Sequence, residues 1–142
     1  MLLFASLVML LTGAVQERAL AVVSAPDSPV RLERATMLTA SDGPPVVVYA
    51  ATNLTGDPLE QFTIMAFVFR ADGTLKARQV APGRRSLEAK ETKYSTLVLD
   101  GSPLEAGDVV IVGVNQAQRV NSDAWWRADL QPAAEERAHR KP

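Results

Sequence analysis

The stretch that most constrains this chain is residues 62–69, FTIMAFVF. In an extended backbone it places Phe62, Ile64, Ala66 and Val68 on one face and Met65, Phe67 and Phe69 on the other. Period alone does not separate such a run from a buried helix. Its length, its aromatic content and the turn residues at both ends favour a strand with both faces covered. A short strand of that kind belongs inside a sheet.

The residues around it agree. Val46, Val47, Val48 and Tyr49, continuing to Thr52, read as a second strand. Between the two lie Asn53, Gly56, Asp57 and Pro58, which supply positive φ, side chain-to-backbone bonds and a fixed φ in turn. Asp72-Gly73 then closes a hairpin onto residues 75–80. Upstream, residues 30–38 (VRLERATML) alternate at their start, with Val30 and Leu32 inward and Arg31 and Glu33 outward. Downstream, residues 93–99 (KYSTLVL) put Leu97 and Leu99 on one face and Tyr94, Thr96 and Val98 on the other. Residues 109–114 (VVIVGV) form a further β-branched strand, with Leu87 touching the core from the polar connection before residue 92. Six or seven short strands with no long amphipathic helix between them predict an all-β fold, an antiparallel immunoglobulin-like β-sandwich.

Two readings stay open for residues 118–126. They form a last edge strand, or Ser122 or Asp123 caps a short helix through Trp125, Trp126 and Leu130. Residues 127–142 are rich in Ala and charge and are expected to be a frayed, polar tail.

Residues 1–15 (MLLFASLVMLLTGAV) carry no charged side chain and lead to Ala19-Leu20-Ala21. An apolar run ending in A-x-A has the form of a secretory leader cut after Ala21, and it is short for a membrane span. No Lys or Arg precedes it, so either the true start lies upstream or the leader is weak; an uncleaved anchor and a buried helix are the other readings. The expected organisation is a signal segment over 1–21, an extended lead-in over 22–29, a sandwich domain over 30–126 and the tail. About 120 residues remain beyond the leader, enough for a modest core.

The chain contains no cysteine, which removes disulfides, thiolate nucleophiles and thiolate metal sites together. An exported fold without a bridge suits a bacterial envelope or secreted protein, periplasmic or extracellular. The net charge of −1 gives no general attraction to nucleic acid or anionic lipid; the charges are scattered, with a mild basic cluster at Arg84-Arg85.

Asn53, Thr55, Gly56 and Pro58, then Phe67-Val68-Phe69, Asp72-Gly73, and Glu91-Thr92 ahead of residues 94–99 follow a shared turn grammar. In it the span 46–100 resembles the FxLYD-type and related immunoglobulin- or fibronectin-III-like modules of bacterial envelope proteins. Phe67 is followed by Val68-Phe69-Arg70 in place of Leu-Tyr-Asp. The resemblance implies a fold and a compartment, and it brings no catalytic residue.

No constellation carries chemistry, so neither an enzyme nor a cofactor is expected. His139, the single histidine, lies in the charged tail, whereas a metal site or a Ser-His pair needs a fixed imidazole with partners. Asp42, Asp57, Asp72, Asp100 and Asp108 stand in Gly/Pro turns. Gathered at one end they would suit Ca²⁺, but Asp is also the ordinary turn residue and no D-x-D-x-D spacing occurs. Asn53-Leu54-Thr55 has the form of a glycosylation acceptor and also of a turn. Trp125-Trp126 is the pair to test: one ring exposed as a platform for a sugar or an anchor for a partner protein, or one closing the core and the other covering its edge. The preferred function is a non-enzymatic exported module working by contact with another envelope protein. An exposed sheet edge, over residues 30–38 or 118–126, would take the partner strand. The alternative is a carbohydrate-binding module using Trp125 or Trp126.

Overall fold

The computed structural model describes residues 15–81, 86–101 and 103–140. In chain order the elements are β1 (Gln16–Ala19), β2 (Ala21–Val22), β3 (Val30–Thr39), β4 (Val46–Asn53), β5 (Leu59–Phe69), β6 (Leu75–Val80), β7 (Thr92–Val98), β8 (Val109–Arg119), β9 (Ala124–Trp126) and α1 (Leu130–His139). One sheet runs β1-β3-β4-β7 and the other β2-β8-β5-β6, with β9 also on β8. Every ladder is antiparallel except β2 on β8, which is parallel and two residues long. From β3 to β9 the layers are β3-β4-β7 and β6-β5-β8-β9, the strand order of an immunoglobulin-like sandwich.

The segment FTIMAFVF is the interior strand the sequence predicts, lying between β8 and β6. Its two faces have different partners. Phe62, Ile64, Ala66 and Val68 join Val47, Tyr49, Leu97, Val112 and others in the core between the sheets. Phe67 and Phe69 face the opposite way and are completely buried with Ile111, Leu130 and Ala134 in a second core.

That second core overturns the expectation of a frayed tail. Residues 130–139 form α1, which lies on the outer face of β8 and β5. Its apolar stripe is Leu130, Ala134 and Ala138, spaced i, i+4, i+8, and Leu130 and Ala134 are buried. Pro132 falls in the first turn, where a missing N–H breaks no intrahelical bond. Gln131 accepts a bond from Arg78 on β6, and Arg137 and His139 in the last turn suit the helix dipole. The helix is held by what it covers: without it Phe67, Phe69 and Ile111 would face water.

Three further expectations are corrected. Residues 30–38 form a sheet edge only in part: β1 pairs with residues 36–39 and Leu20 bonds to the Ala35 carbonyl, while residues 30–34 pair with β4 alone among the described residues. The helical reading of Trp125 and Trp126 fails because residues 124–126 pair with β8 as β9, and the helix begins only at Leu130. The packed unit also extends beyond 30–126 at both ends: β1 adds to the margin of β3, β2 to β8, and α1 covers the second core. Of the expected leader, residues 1–14 lie outside the described residues. Leu87, expected to touch the core, is fully buried and exchanges two backbone bonds with Leu59.

Candidate contact surface

The tryptophan pair sits on the short strand β9, whose neighbours project to opposite sides. Trp125 points inward. It packs partly buried against the inter-sheet core, and its Nε1 donates to Asp27 Oδ2 at 3.0 Å, closing the lead-in over the bottom of the sandwich. Beside it a cavity of about 220 Å³ opens between Val22, Pro26, Leu32, Leu54 and Arg127. The Arg127 guanidinium there is already engaged, donating to the Val23 carbonyl at 2.7 Å and to Asp129 at 3.1 Å.

Trp126 points outward and is 65% exposed. Its cross-strand partner is Gln116, whose partner on β5 is Thr63; the next row on the same face is Ala124, Gln118 and Gln61. Gln61 Nε2 donates to Gln116 Oε1 at 3.2 Å. Gln116 is fully buried, so the neutral polar groups left half-open near the indole are Thr63, Gln61 and Gln118. The alternation of the strands placed these residues, but nothing in the sequence paired Gln61 with Gln118.

A second open surface lies on the other sheet. Among the described residues β7 pairs with β4 alone, leaving its outer margin as an edge. The two faces separate as predicted: Leu97 and Leu99 are buried, while on the other face Tyr94 is 71% and Val98 42% exposed. On the same face the register places Ala50 beside Tyr94 and Val46 beside Val98, with Arg34 and Leu38 beyond them. Glu17, Arg34, Val48 and Tyr94 line a shallow groove of about 340 Å³ on that face. The signal for Tyr94 and Val98 was their alternation; which face stayed open could be decided only by the packing.

The turn aspartates do not converge. Asp57 lies 3.9 Å from Arg119, Asp72 accepts from the Thr74 hydroxyl and N–H, and Asp108 accepts from Lys76. Those two donors of Thr74 hold the Asp72 carboxyl below the usual carboxylate range. A hollow of about 570 Å³ between the turn at Ser41–Pro45 and the loop after β7 has one lining carboxylate, Asp100. Among the described residues no three His, Asp or Glu side chains stand close enough to hold a metal ion.

His139 ends α1, and its imidazole lies against Gly73 in the β5–β6 hairpin; a Cβ at Gly73 would fall 2.5 Å from His139 Cε1. Asn53 is wholly buried. Its Nδ2 donates to the carbonyls of Asp57, Leu87 and Glu88, and its Oδ1 accepts from the N–H and hydroxyl of Thr55. Of the two readings of Asn53-Leu54-Thr55, the geometry is that of the turn. The Arg84-Arg85 cluster lies outside the described residues. Among the described residues no helix is long and apolar enough to cross a membrane.

Comparison with family models, curated proteins and solved structures found no match to this chain.

Proposed function

We propose that this chain is an exported, non-enzymatic β-sandwich module of a bacterial envelope, of the FxLYD-like kind, that works by contact with another protein. The observation that supports the reading best is the margin of β7. It is seven residues long, pairs with a strand along one side only among the described residues, and is flanked by exposed Tyr94 and Val98; at its end the outward Val98 carbonyl accepts from Gln79 Nε2 at 2.6 Å. A partner strand added there would satisfy the remaining outward backbone groups, with Tyr94 and Val98 as anchors on one face. The other margins are poorer candidates. β6 carries the exposed Arg78, which discourages strand addition; the open part of β3, residues 30–34, is short and carries Arg31, Glu33 and Arg34; and β9 is three residues long.

A photo-crosslinking residue in place of Tyr94, in the protein expressed in its own cell, tests this reading. A discrete adduct at that position, absent when the same group replaces Thr74, is the expected result. No adduct at Tyr94, or equal adducts at both positions, overturns it.

The second reading is a carbohydrate-binding module, favoured by the exposure of Trp126 near the half-open Gln61 and Gln118. Indole faces stack on sugar rings, and neutral amides suit hydroxyl groups. Trp125 contributes less to that reading, since its ring is packed and its N–H is engaged. Titration of tryptophan fluorescence with a glycan panel decides: a shift lost in Trp126→Ala supports it, and an unchanged spectrum with every glycan rejects it.

A further inference from the structure

We infer that the leader of this chain is removed at the Ala14–Val15 bond, not after Ala21. The inference rests on the export reading above and adds to it the position of the cut. Residues 16–23, which include the A-x-A at Ala19-Leu20-Ala21, are part of the fold. Gln16, Glu17, Arg18 and Ala19 pair with Thr39, Leu38, Met37 and Thr36. The chain then crosses from one sheet to the other at Leu20, whose N–H bonds to the Ala35 carbonyl at 2.9 Å. Beyond the crossing Ala21 and Val22 pair with Ile111 and Val112, and the Val23 N–H bonds to the Val112 carbonyl. The side chains alternate between the two cores: Leu20 and Val22 pack on the inter-sheet core, Ala21 and Val23 on the core beneath α1.

A leader peptidase acts before the exported chain has folded, so the fold must be built from what it leaves. A cut after Ala21 would discard β1 and Leu20. It would also put the new α-ammonium on Val22, a half-buried strand residue packed on the apolar core. Taking a charge out of water without a partner is costly. A cut after Ala14 puts that charge on Val15, which is 60% exposed and precedes the first strand. Before that bond come an apolar run over residues 2–11, with no Lys or Arg ahead of it, and then Thr12-Gly13-Ala14, which sets small residues at the first and third positions before the cut. In the step, water adds at the Ala14 carbonyl carbon, the C–N bond to Val15 breaks, and the products are an Ala14 carboxylate and a Val15 ammonium.

The test is intact mass and N-terminal sequencing of the full chain expressed in a bacterial host and recovered outside the cytoplasm. The expected product begins at Val15, with residues 1–14 lost. An exported product beginning at Val22 overturns the inference and leaves export standing. An exported product still carrying residues 1–14 also overturns it, and an intact chain retained in the cytoplasm overturns both. Two variants separate the sites: Ala14→Leu is expected to accumulate uncut precursor, and Ala19→Leu, at an exposed position, to be processed as the parent is. The opposite pattern assigns the cut to Ala21.

Discussion

Leu130 sits directly over Gly113: a Cβ built on that glycine would lie 2.5 Å from Leu130 Cδ1 and 3.1 Å from Val23 Cγ2. The absent side chain lets the first turn of α1 and the strand leaving β2 meet on the same spot of β8. A bulkier residue at 113 must move one of them.

Gly113→Ala is therefore expected to destabilise the fold by about 1–3 kcal/mol through overpacking. Leu130→Ala, which leaves a hole over Gly113, is expected to cost about 2–5 kcal/mol. Urea denaturation followed by tryptophan fluorescence measures both. A loss within about 0.5 kcal/mol for Leu130→Ala, the range of an ordinary surface change, would show that α1 is not docked.

Asn53→Asp exchanges one atom for another of almost the same size, yet it sets an oxygen opposite the carbonyls of Asp57, Leu87 and Glu88. Three acceptors then face an acceptor in a dry site. The expected loss is about 3 kcal/mol or more, larger than a single neutral hydrogen bond is worth. Thermal unfolding of the variant at neutral pH checks it, and a melting temperature equal to that of the parent would exclude this network.

Asp108 ties the turn before β8 to β6 across the end of β5. Its Oδ2 accepts from the Glu105 N–H at 2.8 Å and from Lys76 Nζ at 2.6 Å, with both charged side chains almost fully covered. The Glu105 N–H first, then the Lys76 ammonium, holds its carboxyl below the usual carboxylate range. Because the folded-state value is depressed, this stabilisation is complete above the unfolded-state value of about 4 and is lost as pH falls through the folded value. The parent should therefore lose stability below about pH 4. Asp108→Asn should start about 1–3 kcal/mol less stable at pH 7 and show a shallower decline in acid. Parallel slopes for the two proteins between pH 5 and 2 would contradict the assignment. These pH values are the ranges to be scanned, set by the carboxylate titration. Glu33, bonded to Arg31, is shifted the same way but is exposed and contributes little to the slope.

The two tryptophans should separate in one experiment. Trp125→Phe loses the bond to Asp27 and part of its packing, and should lower stability by about 1–2 kcal/mol. Trp126→Ala removes a ring that is mostly in water and should change stability by no more than about 0.5 kcal/mol. Chemical denaturation of both variants measures the difference; equal losses would mean that the rings are equally buried.

The strands of the sandwich were legible in the residues themselves. The two-faced run at Phe62 to Phe69, the alternation in β3 and β7 and the Asn, Asp, Gly and Pro turns are local signals. They act through side-chain geometry and allowed φ, so they set pairing and core composition wherever the chain is read. The split of Trp125 and Trp126 between inside and outside follows from the same period of two once residues 124–126 pair with β8 as a strand.

The helix and the N-terminal strands depended on distant partners. Residues 130–139 bury only Leu130 and Ala134, too thin a stripe to announce a helix, and they fold because Phe67, Phe69 and Ile111 on other strands need a cover. Ala19-Leu20-Ala21 has the composition of a cleavage site, and only the places waiting for it beside β3 and β8 make it part of two sheets. Local pattern determines which backbone shape a segment prefers. Which apolar face is left uncovered, and what closes it, is a property of the assembled sandwich and was decided there.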